Sequence, residues 1–136
     1  MHTAEHILNA TMVKTFGCGR HVKAHVERTK SKLDYDFPRP LTDDEVALIE
    51  AKVNEVIQAD LPVTEEFASQ AQVASRFPLE RLPHNASDTV RIVHVGDYDE
   101  CLCAGDHVQH TAQIGTFRIS STRHQNGLLR IVFRLS

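Results

Sequence analysis

An α+β fold is predicted for this 136-residue chain: a two-layer sandwich, with helices packed on one face of a mostly antiparallel sheet. Three observations predict it. Apolar residues recur at helical spacing in two long stretches. They alternate at every second position in several shorter ones. The strands come in runs rather than in strand–helix–strand units, which favours antiparallel pairing. The length suits a single domain, 1–136, with room for a real core.

The first helix is expected over residues 2–16. Ile7, Leu8, Met12 and Phe16 form its apolar stripe, and Gly17 and Gly19 end it. Residues 21–37 read as two strands around a polar turn at Thr29 to Ser31. Val22, Ala24 and Val26 alternate with polar neighbours in one, Leu33, Tyr35 and Phe37 in the other. Pro38 and Pro40 close that stretch. Thr42 with Glu45 three residues on is a capping box for a second helix, striped by Val46, Ile49, Val53 and Val56 with Ile57. Val63 to Ala68 predicts a strand, residues 70–76 a short helix and 78–88 a loop that could fold over a site. Val90 to Val95 and Tyr98 to Cys103 predict strands flanking a Gly96-Asp97 turn. Ile114 to Thr122 and Leu128 to Leu135 predict a closing hairpin around Asn126-Gly127.

Hydrophobic residues are 41% of the chain and charged residues 24%, the balance of an ordinary soluble globular domain. No stretch approaches the roughly 18 consecutive apolar residues of a membrane span, and no signal peptide is expected. Cys18, Cys101 and Cys103 are too few for a disulfide framework, so cytoplasmic residence with free or metal-bound thiols is expected. A net charge of −3 argues against bulk, non-specific nucleic-acid binding. Two basic clusters still allow a local basic face: Arg20, Lys23, Arg28, Lys30 and Lys32, and Arg118, Arg123, Arg130 and Arg134. Solvated strand faces are the plainer reading of both.

The chemistry concentrates in His2-Thr3-Ala4-Glu5-His6 and Cys103-Ala104-Gly105-Asp106-His107. Histidines four apart on a helix share a face, so His2 and His6 can share one metal ion. Cys103 and His107 could complete a tetrahedral zinc set. Either pair alone would be weak evidence; both in one small chain predict a shared site. His2-x-x-Glu5-His6 also has the form of a metallopeptidase signature, with Glu5 as general base, although a first-turn acid at the helix N-terminus is the simpler reading. Cys101 reads as a small buried hydrophobe.

The residues then carry a resemblance. His2-Thr3-Ala4-Glu5-His6-Ile7-Leu8 resembles the HTAxHLL opening of the alanyl-tRNA synthetase editing domain. Leu33-Asp34-Tyr35-Asp36-Phe37 is similar to its RFDF strand, and Leu41-Thr42 through Ile57 to the helix that follows. Cys103 to Val108 resembles its CGGTHV, and Thr111 to Ile119 its TGxIGxFKI. The likeness runs along nearly the whole chain and looks most like the small, free-standing AlaX-type proteins. It implies a zinc-dependent deacylase acting in trans on mischarged tRNA(Ala), carrying serine or else glycine, at its acceptor end. It places the zinc ligands on His2, His6, Cys103 and His107. Asp106 and Glu5 are the candidates for a general base. His25 and Thr29 are the candidates for reading the serine hydroxyl, with Lys30 and Lys32 for tRNA phosphates. Ala104 and Asp106 depart from the family motif. That motivates a second reading, a zinc- or tRNA-binding module without catalysis.

Overall fold

A computed structural model describes residues 1–73, 89–102 and 107–136. The loop expected at 78–88, the end of the short helix, and Cys103 and Asp106 lie outside the described residues. The elements run α1 (His2–Phe16), β1 (Lys23–Val26), β2 (Lys30–Asp36), α2 (Asp43–Gln58), β3 (Val63–Ser69), α3 (Gln70–Val73), β4 (Thr89–Val95) and β5 (Asp99–Leu102). A 3-10 turn (Thr111–Ile114), β6 (Phe117–Gln125) and β7 (Leu128–Leu135) complete them.

The class is α+β, and all pairing among the described residues is antiparallel. The strands divide between two sheets, ordered β1-β2-β7-β6 and β3-β4-β5. The first hairpin pairs with the last strand, β2 against β7. The middle three strands form a local meander. Helix α1 touches both sheets. It packs on β4 and β5, and its Ile7, Leu8 and Met12 share one core with Leu33, Tyr35, Ile131 and Phe133 of the larger sheet. Burying each such side chain is worth roughly 1.5–3 kcal/mol.

Local chemistry sets the element ends. Gly17 closes α1 in the left-handed region at φ 67°, its N–H donating to the Val13 carbonyl. The capping box of α2 is complete: Glu45 N–H donates to Thr42 Oγ1 at 3.2 Å, and Thr42 N–H to Glu45 Oε1 at 2.9 Å. Arg39 grips the same carboxylate at 2.7 and 2.8 Å. The β6–β7 turn uses Asn126 and Gly127, both at positive φ (54° and 77°), the type I′ geometry that matches strand twist. The strand expected from Ile114 begins instead at Phe117. The 3-10 turn and Gly115, at φ 91° with the Ser136 carbonyl packed where a Cβ would stand, interrupt the chain first.

Asn54 joins α2 to the large sheet. Its side chain donates to the Phe117 carbonyl and accepts from the Phe117 N–H, both at 2.8 Å. Asn54→Ala leaves both backbone groups without that partner. It is expected to lower stability by about 1–3 kcal/mol, read as a shifted urea midpoint.

Arg39, then the Thr42 N–H, pull the Glu45 carboxyl down to about 2. Its folded pKa lies below the unfolded one, so its contribution is present above the ordinary Glu value and lost as pH falls towards 2. Glu45→Gln is expected to flatten thermal stability across that acid window and change little in slope at neutral pH, checked by melting curves.

Candidate functional site

Helix α1 is buried from Thr3 to Met12. That stretch includes Thr3, Glu5, His6, Asn9 and Thr11, polar groups whose burial is costly unless they are hydrogen-bonded or paired. Distant segments supply those partners, and the site is the result.

The first cluster is histidine-rich. His2 and His6 lie one turn apart, and His107 arrives from the far end of the chain. The His6 and His107 rings meet edge-on with centroids 4.7 Å apart, and His2 lies 6.1 Å from His107. Thr3 Oγ1 hydrogen-bonds His107 Nδ1 at 2.8 Å and accepts the Val108 N–H at 3.3 Å. His6 Nδ1 stands 3.5 Å from Asp99 Oδ2. Arg20 grips the same carboxylate at 2.8 and 3.3 Å. Burial opposes ionisation of Asp99, but His6 and Arg20 outweigh it and hold its pKa below the usual value. Burial, reinforced by His6, Arg91 and His2, pushes His107 down to about 3. A neutral imidazole is the form that binds metal.

Three of the four predicted ligands are therefore neighbours, and Cys103 lies outside the described residues. Among the described residues, no group of three or more His, Cys, Asp or Glu side chains is already arranged as a metal cage.

The second cluster surrounds Asn9. Its Oδ1 accepts the Tyr35 hydroxyl at 2.9 Å and the His21 N–H at 3.1 Å. That fixes the amide, so Nδ2 donates to His21 Nδ1 at 2.8 Å. His21 then carries its proton on Nε2, 3.4 Å from Glu5 Oε1. Glu5, 8% exposed, is a buried carboxylate set against an imidazole. A cleft of about 510 Å³ opens beside Asp99 and Arg20, with Ala10, Lys14, His94 and Tyr98 also in its walls. It is large enough for a small ligand group. Tyr98 donates to Thr11 at 2.6 Å, and Thr11 in turn to the Ile7 carbonyl at 2.8 Å.

His25, Thr29, Lys30 and Lys32 are on the β1–β2 hairpin. His25 is exposed and hydrogen-bonds Glu27 at 3.0 Å. It lies four residues along the chain from His21, a stretch that spans at most roughly 13 Å when extended. Asp106 lies outside the described residues. Sequence reasoning missed Asp99, Arg20, His21, Asn9 and Tyr35. Asn9 is a polar residue inside α1 and the others are common residues in strands or connecting loops, so only the unusual polarity of an otherwise buried helix hints that partners are needed.

Residues 90–132 match the profile of the family described as the Threonyl and Alanyl tRNA synthetase second additional domain. The chain is similar to alanine–tRNA ligases along most of its length. Identity is 38% over 121 residues with that of Fervidobacterium nodosum, 41% over 123 with Pseudothermotoga lettingae and 37% over 123 with Bacillus subtilis. Each alignment covers 88% of this chain and 14% of the relative, so the chain spans about one seventh of the length of those ligases.

Asn9 and Tyr35 are predicted to be energetically coupled. Tyr35→Phe is expected to cost about 1 kcal/mol in the native background and close to nothing once Asn9→Ala is present. A double-mutant cycle by urea denaturation reads the difference.

Proposed function

The chain is related to the threonyl and alanyl tRNA synthetase second additional domain, and from that premise we propose that it is an aminoacyl-tRNA deacylase that edits mischarged tRNA. The substrate is the ester of tRNA(Ala) carrying serine, with glycine second. An alanine pocket cannot exclude glycine and rejects serine only modestly, so a second site must remove the errors. The observation that carries the reading is the meeting of His2 and His6 with His107 from opposite ends of the chain. No described helix is long and apolar enough to cross a membrane, and a tRNA partner goes with cytoplasmic residence.

The donor set fits zinc. Three imidazoles, with the Cys103 thiolate as the predicted fourth ligand, are the nitrogen and sulfur donors that Zn2+ takes. Bound there, zinc supplies Lewis acidity toward the ester carbonyl. The remaining work falls to the chain's own residues. Thr3 and Asp99 steady the rings of His107 and His6 at Nδ1, as outer partners of metal-binding histidines do. Arg20 keeps Asp99 ionised and in place. Glu5 Oε1 is positioned to exchange a proton with His21 Nε2. Asp106, beside His107 in sequence, is the other candidate base. The peptidase reading requires the same Glu5 carboxylate as a base for water, and its seat against His21 weighs against that.

Zinc-loaded protein is expected to release serine from seryl-tRNA(Ala) while sparing alanyl-tRNA(Ala). Chelation, or Cys103→Ala, is expected to abolish release. Full activity in metal-stripped protein would remove the metal role, and tRNA binding without turnover would favour the binding-module reading. Asp99→Asn is expected to weaken zinc about 10–100-fold in competition with a chromophoric chelator, with the circular dichroism spectrum unchanged.

A further inference from the structure

The two basic clusters of the sequence become one surface. In the four-stranded sheet, Lys23 pairs with Asp34, Asp34 with Arg130 and Arg130 with Arg123, a row across all four strands. A second row, Lys30 with Arg134 and Arg134 with Arg118, lies farther along, with Lys32 between the two. The alternate residues, Leu33, Tyr35, Ile131 and Phe133, are buried beneath α1 and α2, so these rows face outward.

Arg118 and Arg123 are five residues apart, which in a regular strand would put them on opposite faces. A bulge prevents it. The register shifts between Ile119 and Ser121, and both arginines turn outward. Glu50 of α2 accepts the Ile119 N–H at 2.8 Å, and the Ser120 hydroxyl donates to the Val132 carbonyl at 3.2 Å. The same register sets Arg118 opposite Arg134 and Arg123 opposite Arg130. Like charges directly opposite destabilise a sheet. Asp34, paired with Arg130 at 2.8 and 3.2 Å, relieves only part of this. Two stacked like-charge pairs in a chain of net charge −3 form a local rule broken on one face, as happens at functional surfaces.

We propose that this outward face docks the phosphate backbone of an RNA stem. The inference rests on the tRNA partner of the deacylase reading and names where it binds. Four strands span about 14 Å and Arg130 to Arg134 about 13 Å, an extended plane suited to a polymer of phosphates rather than to a single one. A hollow of about 260 Å³ opens on this face, lined by Arg123, Asn126 and Arg130 and by the Asp34 carboxylate that Arg130 holds. Among the described residues of these strands, no Phe, Tyr or Trp side chain faces outward, and the exposed His25, opposite Lys32 on the edge strand, is the one ring on this side. A single edge-strand imidazole is a poor stacking platform for single-stranded RNA and a bilayer has no Phe, Tyr or Trp to anchor it, which favours contact with the backbone of a duplex.

Binding of a tRNA(Ala) transcript, followed by fluorescence anisotropy across a salt series, tests the face. Arg123→Glu is expected to weaken binding about tenfold and to reduce the magnitude of the log–log salt slope by about 1. Its melting temperature should hold or rise, because the new carboxylate faces Arg130. Lys52→Glu, the same charge change on α2, is expected to stay within about twofold of wild type. Equal loss in both variants, or unchanged binding in Arg123→Glu, overturns the proposal, as does tighter binding to phosphatidylserine vesicles than to RNA. Arg123→Glu that binds like wild type, in a protein that releases serine, overturns the face and leaves deacylation standing. Face-dependent RNA binding without serine release by any form supports the face and overturns deacylation.

Discussion

The burial of a polar helix is the constraint on which the rest of this structure depends. From Thr3 to Met12, α1 has no solvent face, yet half of that stretch is polar. Apolar packing alone would tolerate many rotations and offsets of such a helix. Buried hydrogen-bonding groups tolerate few, because each unmade bond costs on the order of 1–3 kcal/mol. Thr3 needs His107, Asn9 needs His21 and Tyr35, and Thr11 needs Tyr98. Satisfying them together fixes α1 against β2, β5 and the segment after it. The candidate site residues His2, Glu5 and His6 stand on the same helix turns as these anchors, so the requirement that places the helix also places them.

Asp99 shows how economical the arrangement is. One carboxylate steadies His6, anchors Arg20 and walls the neighbouring cleft. It stays ionised because its partners outweigh the penalty of burial. The large sheet is tied to α2 in the same manner, through Asn54 and Glu50 on the backbone of β6. There the polar contacts stabilise an irregularity, the bulge that turns both β6 arginines to one side. The buried polar cluster and the basic rows thus lie on opposite sides of the large sheet, the first beneath it with α1, the second on its outer face.

Much of the fold was legible in the chain. The helices at 2–16 and 43–58, the turn at Asn126-Gly127 and the capping box of α2 follow from signals within a few residues of one another. Such signals survive in any tertiary context because hydrogen-bond geometry and side-chain periodicity are local. Two pairs of metal-type donors were legible for the same reason, and three of those four residues prove to be neighbours. The division into two sheets was not legible. Alternation marks a strand but not its partner, and the pairing of β2 with β7 depends on which apolar faces α1 and α2 leave to be covered.

By itself, then, the sequence determined the elements, their order and which residues are candidate donors, since each depends on spacing along the chain. Only the tertiary structure decided that Asp99, Arg20, His21, Asn9 and Tyr35 serve the site, and that two basic clusters are one face. Those facts depend on distances between residues far apart in sequence, set when a helix with buried polar groups and a sheet with a bulge find the one arrangement that satisfies both.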